Sequence, residues 1–432
     1  MKDWMVQRKY TIIDWSDAKC NYVKEEGRQF LLFPDDQFVC QEDFDSLSHV
    51  IIPTVASTVI ILLVIAILVI VYAYRLECKV LTYIYFGVHP FDKDTENKDE
   101  GVDAVMIHSE KLTDWVMKHI VNILEGENYN FHICDMARDF IIGFTFQENL
   151  NQVVRHSKRM ILLISEDWKT DDETFHIAWN IAQEKIKESK SNFGVIITHG
   201  VTPKQIKDKA LLRFIKSGRY IDSKHKLFVE KNFYSMPLKD DHIQERKPNT
   251  RSLIQREFSI HEEEVDDNRI HAFVSYSDQE QEFVTSELAP ELQNLGYKLW
   301  LPDWDFIPGA SKEENILKAI DMSLRTVFVL SGSHMKDEWS LFTFITACEK
   351  SLRESTNYLI VIVREDVDLA TMDEEVKHYL KTYISLNVND RWFWYKLLNG
   401  LPLNGQRHQS MDTSPLFTSR CIAPDDFVIE IT

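Results

Sequence analysis

The longest apolar run in the chain, Val50–Tyr74, is 25 residues without a charge. About 20 apolar residues cross a bilayer core as a helix, so the run predicts a transmembrane helix. It is too long for a typical signal-peptide core and begins 50 residues into the chain. Pro53 lies in its first turn, where a missing N–H costs little. The entering flank carries Asp35, Asp36, Glu42, Asp43 and Asp45, and the leaving flank Arg75 and Lys79. Basic residues favour the cytoplasmic side. The expected layout is therefore residues 1–49 outside, a span over 50–74, and everything after it inside.

Beyond the span the pattern changes to short apolar runs separated by amphipathic stretches. The first, VDAVMIHS (102–109), precedes a helical stretch marked by Trp115, Ile120 and Leu124. The pattern then repeats: IHAFVSYS (270–277) precedes Phe283, Leu288 and Leu292. Shifting Phe131–Ser165 by 166 positions onto Tyr297–Ser331 needs no gap and aligns nine identical pairs: Asp139/Asp305, Phe140/Phe306, Ile141/Ile307, Gly143/Gly309, Glu148/Glu314, Asn149/Asn315, Ser157/Ser323, Arg159/Arg325 and Ser165/Ser331. MILLIS (160–165) falls on TVFVLS (326–331), and NFGVIIT (192–198) matches NYLIVIV (357–363). A period this long is a duplicated domain, not a solenoid unit. Four- to eight-residue apolar runs alternating with helices predict a parallel α/β sheet, buried on both faces. Each copy is expected to be doubly wound and flavodoxin-like, with right-handed crossovers.

Charge and cysteine content narrow the function. Acids outnumber bases 68 to 49, a net charge of −19, which argues against direct nucleic-acid binding through phosphates. A negative mean hydropathy conceals the single span. Six cysteines are too few for a disulfide scaffold. Cys20 and Cys40 fall on the outer side, where thiols are normally oxidised. Cys78, just inside the membrane, reads as a palmitoylation candidate or an ordinary reduced thiol. His108, His119, His132 and Cys134 have no zinc-ligand spacing, and no metal or cofactor site is expected. There is no Walker phosphate loop and no kinase motif set.

Three segments occur in the order of a Toll/interleukin-1 receptor (TIR) domain. IHAFVSYSD (270–278) resembles its first box, WDFIPG (304–309) its second, the BB loop, and Phe393-Trp394 its third. Copy one resembles it more loosely, with Asp103-Ala104, then ARDFIIG (137–143), and Phe233-Tyr234 in the third place. The order Trp4, Cys20, Cys40 and membrane resembles the end of a leucine-rich-repeat C-terminal cap. Together the chain resembles a Toll-like receptor with tandem TIR domains. In that cap an upstream Cys-x-Cys pair bonds the two later cysteines, but here no cysteine precedes Cys20. Either Cys20 pairs with Cys40, or this is the lower part of a longer receptor, or the segment is an unstructured stub. The organisation expected is a cap-like segment (1–49), span (50–74), juxtamembrane segment (75–101), TIR domain one (102–233), linker (234–268), TIR domain two (269–401) and a disordered tail (402–432).

The resemblance implies that the BB loops are interaction surfaces: Trp304, Asp305, Phe306, Ile307, Pro308 and Gly309 in copy two, and Arg138, Asp139, Phe140, Ile141, Ile142 and Gly143 in copy one. Pro308-Gly309 is first a turn, with Pro fixing φ and Gly supplying the positive φ after it. That turn is expected to lift Phe306 and Ile307 off the sheet edge as a binding tooth. Copy one keeps Arg138-Asp139 but has Ile142 in place of Pro; copy two keeps Pro308-Gly309 but has Trp304 in place of Arg. The two domains are thus expected to use different partners or faces. Some TIR domains cleave NAD with a Glu four residues after a Trp. Here that position is Thr343 in copy two and, by equal counting, Ile177 in copy one. Neither supplies a carboxylate, so no catalytic residue is expected. The linker, with KDDHIQERKPNTR and HEEEVDD, reads as a flexible tether holding the copies together by avidity; a rigid packed pair is the alternative.

The expected function is an innate-immune receptor, at the plasma membrane or endosome, that signals by assembling with TIR-domain adaptors and with itself. An inhibitory or decoy receptor is the second reading, and an NAD-cleaving enzyme the third.

Overall fold

The computed structural model describes residues 44–86, 101–126, 129–166, 168, 173–189, 193–202, 206, 208–216, 220–237, 269–332, 337–364 and 372–402. Cys20 and Cys40, nearly all of the linker and the tail from 403 lie outside them. The chain divides into two compact units, Met1–Arg75 and Leu76–Thr432.

In the first unit, helix α1 (Phe44–Ala73) contains the apolar stretch. Its segment Ile52–Tyr72 is long and apolar enough to cross a membrane, and none of it is buried in the fold. At 1.5 Å per residue these 21 residues span about 31 Å, the thickness of a bilayer core. Two of its hydroxyls are satisfied within the helix: Ser57 and Thr58 donate to the carbonyls of Thr54 and Val55, each at 2.8 Å.

Helix α2 (Arg75–Phe86) starts at the boundary, and from Leu76 on it belongs to the second unit. Copy one follows: β1 (Val102–Ile107), a helical stretch α3 (Thr113–Glu125) interrupted by a π turn at Met117–Val121, β2 (Ile133–Asp135), α4 (Phe146–His156), β3 (Ser157–Ser165), α5 (Glu173–Ser189), β4 (Gly194–His199), α6 (Lys209–Lys216), β5 (Tyr220–Asp222) and α7 (Phe228–Ser235). Copy two repeats the order: β6 (Ile270–Ser275), α8 (Gln281–Asn294) with its π turn at Val284–Leu288, β7 (Leu299–Trp300), α9 (Lys312–Met322), β8 (Ser323–Leu330), α10 (Glu338–Glu354), β9 (Leu359–Val363), α11 (Glu374–Thr382), β10 (Leu386–Asn387) and α12 (Phe393–Gly400).

Every strand pairing in both sheets is parallel. The strand orders are β2-β1-β3-β4-β5 and β7-β6-β8-β9-β10, the doubly wound order expected from the alternating pattern. The central strands are buried almost throughout, as continuous apolar runs require. Each sheet carries a hydrophobic layer on both faces. In copy two, Val274, Val327 and Ile362 pack on one side, and Phe273, Phe328 and Val361 on the other. The fold of copy one extends past 233, because Met236 is buried in its core.

Candidate functional site: two related loops

The loop after the second strand is built the same way in each copy. In copy one the Asp139 carboxylate accepts from the Asp135 N–H at 2.8 Å; in copy two Asp305 accepts from Leu301 N–H at 2.7 Å. Each bond closes a single helical turn below the loop. A buried asparagine then pins the loop to the next helix. Ile141 N–H donates to Asn149 Oδ1 at 2.7 Å, and Asn149 Nδ2 donates back to the Ile141 carbonyl at 3.0 Å and to Thr145 at 3.1 Å. In copy two Ile307 N–H donates to Asn315 Oδ1 at 2.8 Å, and Nδ2 returns to Ile307 and Ser311 at 3.3 and 3.1 Å. Each loop ends on a glycine at positive φ, +84° at Gly143 and +91° at Gly309. In copy two the Ala310 N–H donates back to the Ile307 carbonyl at 3.3 Å, closing the Pro308-Gly309 turn.

The surroundings of the two loops differ. Loop two is open, with Trp304 62% and Ile307 45% exposed and Pro308 and Gly309 on the surface. Phe306 departs from expectation. It turns inward, its ring 6.3 Å from that of Phe273, so Trp304 and Ile307 alone form the apolar tip. Loop one is buried: Phe140, Ile141 and Ile142 are 2%, 3% and 0% exposed. Phe140 and Ile141 sit in copy one's own core, whereas Ile142 joins the core of copy two.

Loop one meets copy two along a line of backbone bonds. Gly143 N–H donates to the Ile384 carbonyl at 2.9 Å, and Ile384 N–H donates to the Phe144 carbonyl at 3.0 Å. Thr145 bridges antiparallel to Tyr383. Asn357 Nδ2 donates to the carbonyls of Ile142 and Gly400 at 3.2 and 2.9 Å. Tyr395 donates its hydroxyl to Asp139 at 2.9 Å, and Arg391 pairs with Asp114 at 2.7 Å. The fit has no slack: a Cβ on Gly143 would lie 2.7 Å from the Leu359 carbonyl oxygen, and one on Gly400 would lie 2.6 Å from Ile142 Cγ1. The two copies are thus a packed pair, not merely tethered neighbours.

Arg138 does not face a partner. Its guanidinium turns inward as a two-pronged clamp on Glu125, at 2.8 and 2.9 Å, and also bonds Asp139 and the Ile133 carbonyl. Burial opposes its charge, but the adjacent carboxylates outweigh burial and hold it ionised. Trp304, at the matching place in copy two, has no such anchor. His108 is also inside, with Nδ1 against the Ser109 carbonyl and Nε2 against Asp135 Oδ2, both at 2.8 Å. Both neighbours are acceptors, an arrangement that favours the protonated ring. Burial lowers the His108 pKa, but the Asp135 bond more than reverses this and the net shift is upward.

The remaining predicted positions belong to the packing of the two copies. Phe393 is buried in copy two and Trp394 packs beside it. Phe233 stacks near Tyr129 and Phe131; Tyr234, next in sequence, is partly buried. Helix α2 rests on copy one: Val80 is buried, Lys231 bonds Glu77 at 2.6 Å, and Cys78 is partly covered. A cleft of about 570 Å³ lies between loop two and α10, lined in part by Tyr276, Asp303, Phe306, Lys312 and Trp339. Thr343 lies in its wall, its hydroxyl donating to the Trp339 carbonyl at 2.7 Å. Ile177 packs against copy one's core. Among the described residues no group of three His, Cys, Asp or Glu is placed to hold a metal.

The asparagine pins were visible in the sequence only as one identical pair among nine. The face of copy two formed by Asn357, Leu359, Ile384 and Gly400 had no local signal at all.

Residues 272–393 match the family model of the TIR domain. The chain is 37% identical over 147 residues to Protein toll of Drosophila melanogaster, covering 33% of this chain and 13% of that protein. It is 32% identical over 133 residues to Toll-like receptor 6 of Homo sapiens, covering 31% of this chain and 17% of that protein. The chain therefore spans less than a fifth of the length of these curated relatives. Among solved structures, the TIR domain of the Toll-related receptor TRR-2 from Hydra magnipapillata is 23% identical, with a TM-score of 0.26, covering 30% of this chain and 95% of that one. Over about a third of its length the chain is similar to Toll and the Toll-like receptors, and the TIR-domain model falls on copy two.

Proposed function

We propose that the chain is part of a single-pass innate-immune receptor, N-terminus outside, that signals by assembling TIR-type domains on the cytoplasmic side. In this reading copy one is a second, diverged TIR domain. The observation that carries the proposal is loop two: an apolar tip of Trp304 and Ile307, exposed yet held by the Asn315 pin and the Pro308-Gly309 turn. Pre-ordering such a tip lowers the entropy cost of docking. Its partner is the TIR domain of an adaptor protein. Ile307→Asp or Pro308→His should abolish co-precipitation of that adaptor with the full-length receptor; unchanged capture by both variants would sink the proposal.

An inhibitory receptor is the second reading, favoured by the burial of loop one, which leaves one open loop for two domains. The cleft beside Thr343 is proposed to be non-catalytic, because a threonine cannot supply the carboxylate that steadies an oxocarbenium-like transition state.

A further inference from the structure

We propose that copy one is an internal cap: its loop, Ile142-Gly143, occupies the face of copy two that would otherwise accept loop two of a second copy of this chain. The idea rests on the reading of loop two as a docking element. It goes further by naming where that loop would dock and what prevents it.

The docked loop one shows what the face of copy two recognises. It takes an N–H at the glycine, received by the Ile384 carbonyl, and a carbonyl one residue earlier, received by Asn357 Nδ2. It demands glycine at the close approach to Leu359, and its own Gly400 leaves room for the side chain of residue 142. Loop two meets each requirement. Gly309 stands where Gly143 does, with an N–H to donate and a φ of +91° against +84°. Pro308 stands where Ile142 does and keeps its carbonyl. The Asp and Asn bonds that shape loop one shape loop two with the same geometry. A second chain therefore carries a loop built to the pattern that this face accepts, and the face is already filled.

Occupation within one chain wins by concentration. A tethered loop acts at an effective concentration on the order of millimolar, so a second chain at micromolar concentration is outcompeted by roughly a thousandfold. Copy one's counterpart face differs, since its Arg159 bonds the Ser235 carbonyl where Arg325 bonds that of Gly400. Ser235 puts a Cβ where Gly400 has none. With copy two capped, loop two is left to act on a different protein.

The test uses the full-length chain in detergent micelles, with two tags for detecting chain–chain association. Ile142→Asp with Gly143→Val should expel loop one while leaving the face of copy two intact. Self-association should strengthen by roughly two to three orders of magnitude. Adding Ile307→Asp, or Gly400→Leu, should return it to the wild-type level. As an independent check that tolerates misfolding of that variant, Ile142→Cys with Gly400→Cys should form a bridge within one chain, identified by mass spectrometry of the linked peptides. Absence of that bridge would overturn the proposal. So would a folded loop-one variant that associates no more strongly than wild type, or an increase that Ile307→Asp and Gly400→Leu leave in place. Adaptor capture by loop two is read separately, so loss of the cap and loss of the signalling reading remain distinguishable.

Discussion

At the scale of single residues, two buried polar groups do most to shape the site. Asn149 and Asn315 each accept from one loop N–H and donate to two loop carbonyls. Asn→Ala at either position should destabilise its copy by about 1–3 kcal/mol, measured by chemical denaturation. Asn315→Ala should also weaken adaptor capture, because loop two would lose its pin. His108 gives a pH signature. Its folded pKa is raised above the ordinary 6.5, so the stability it adds is complete below that value and fades as pH rises through the folded pKa. Thermal melts of the wild type should therefore lose stability over that interval, and His108→Gln should remove that component of the pH dependence; parallel curves would contradict the assignment. The repeat alignment brought Asn149 and Asn315 into register without revealing what they bond. A one-dimensional comparison shows that a residue is shared, but not that its amide reaches eight positions back.

At the scale of elements, the apolar runs predicted the strands and their parallel order, because a strand buried on both faces must be apolar throughout. The π turns within α3 and α8, at matching places in the two copies, had no comparable signal. The turn at Pro308-Gly309 was legible from residue chemistry, and Gly309 has the positive φ expected of it. Open space surrounds Gly309, so substitution there acts through the backbone alone. Gly309→Val should cost about 1–3 kcal/mol and disorder the tip. Trp304→Ala should leave stability unchanged, since Trp304 is largely exposed, and should reduce adaptor binding. The inward turn of Phe306 was not legible: the alternation of the loop sequence does not say which ring finds Phe273. Nor was the burial of loop one. Ile142 falls under copy two because of Asn357 and Gly400, more than 200 positions away, and no local pattern reports such a pairing.

At the scale of the whole molecule, a helix with 21 residues apolar enough to cross a membrane precedes in sequence a packed pair of parallel-sheet domains, only one of which presents an open loop. The proposed orientation predicts that protease added to intact cells leaves the portion after Arg75 protected. The proposed absence of enzymatic activity predicts no nicotinamide release when the purified receptor is incubated with NAD, and Thr343→Glu is the informative companion variant. The most direct test of the central claim is signalling output from the full-length receptor in cells, read with an NF-κB-type reporter against Ile307→Asp at matched surface expression. Signalling through loop two predicts that the receptor's effect on the reporter, whether stimulation or suppression, disappears in the variant. An undiminished effect from a folded, equally expressed Ile307→Asp receptor would contradict it.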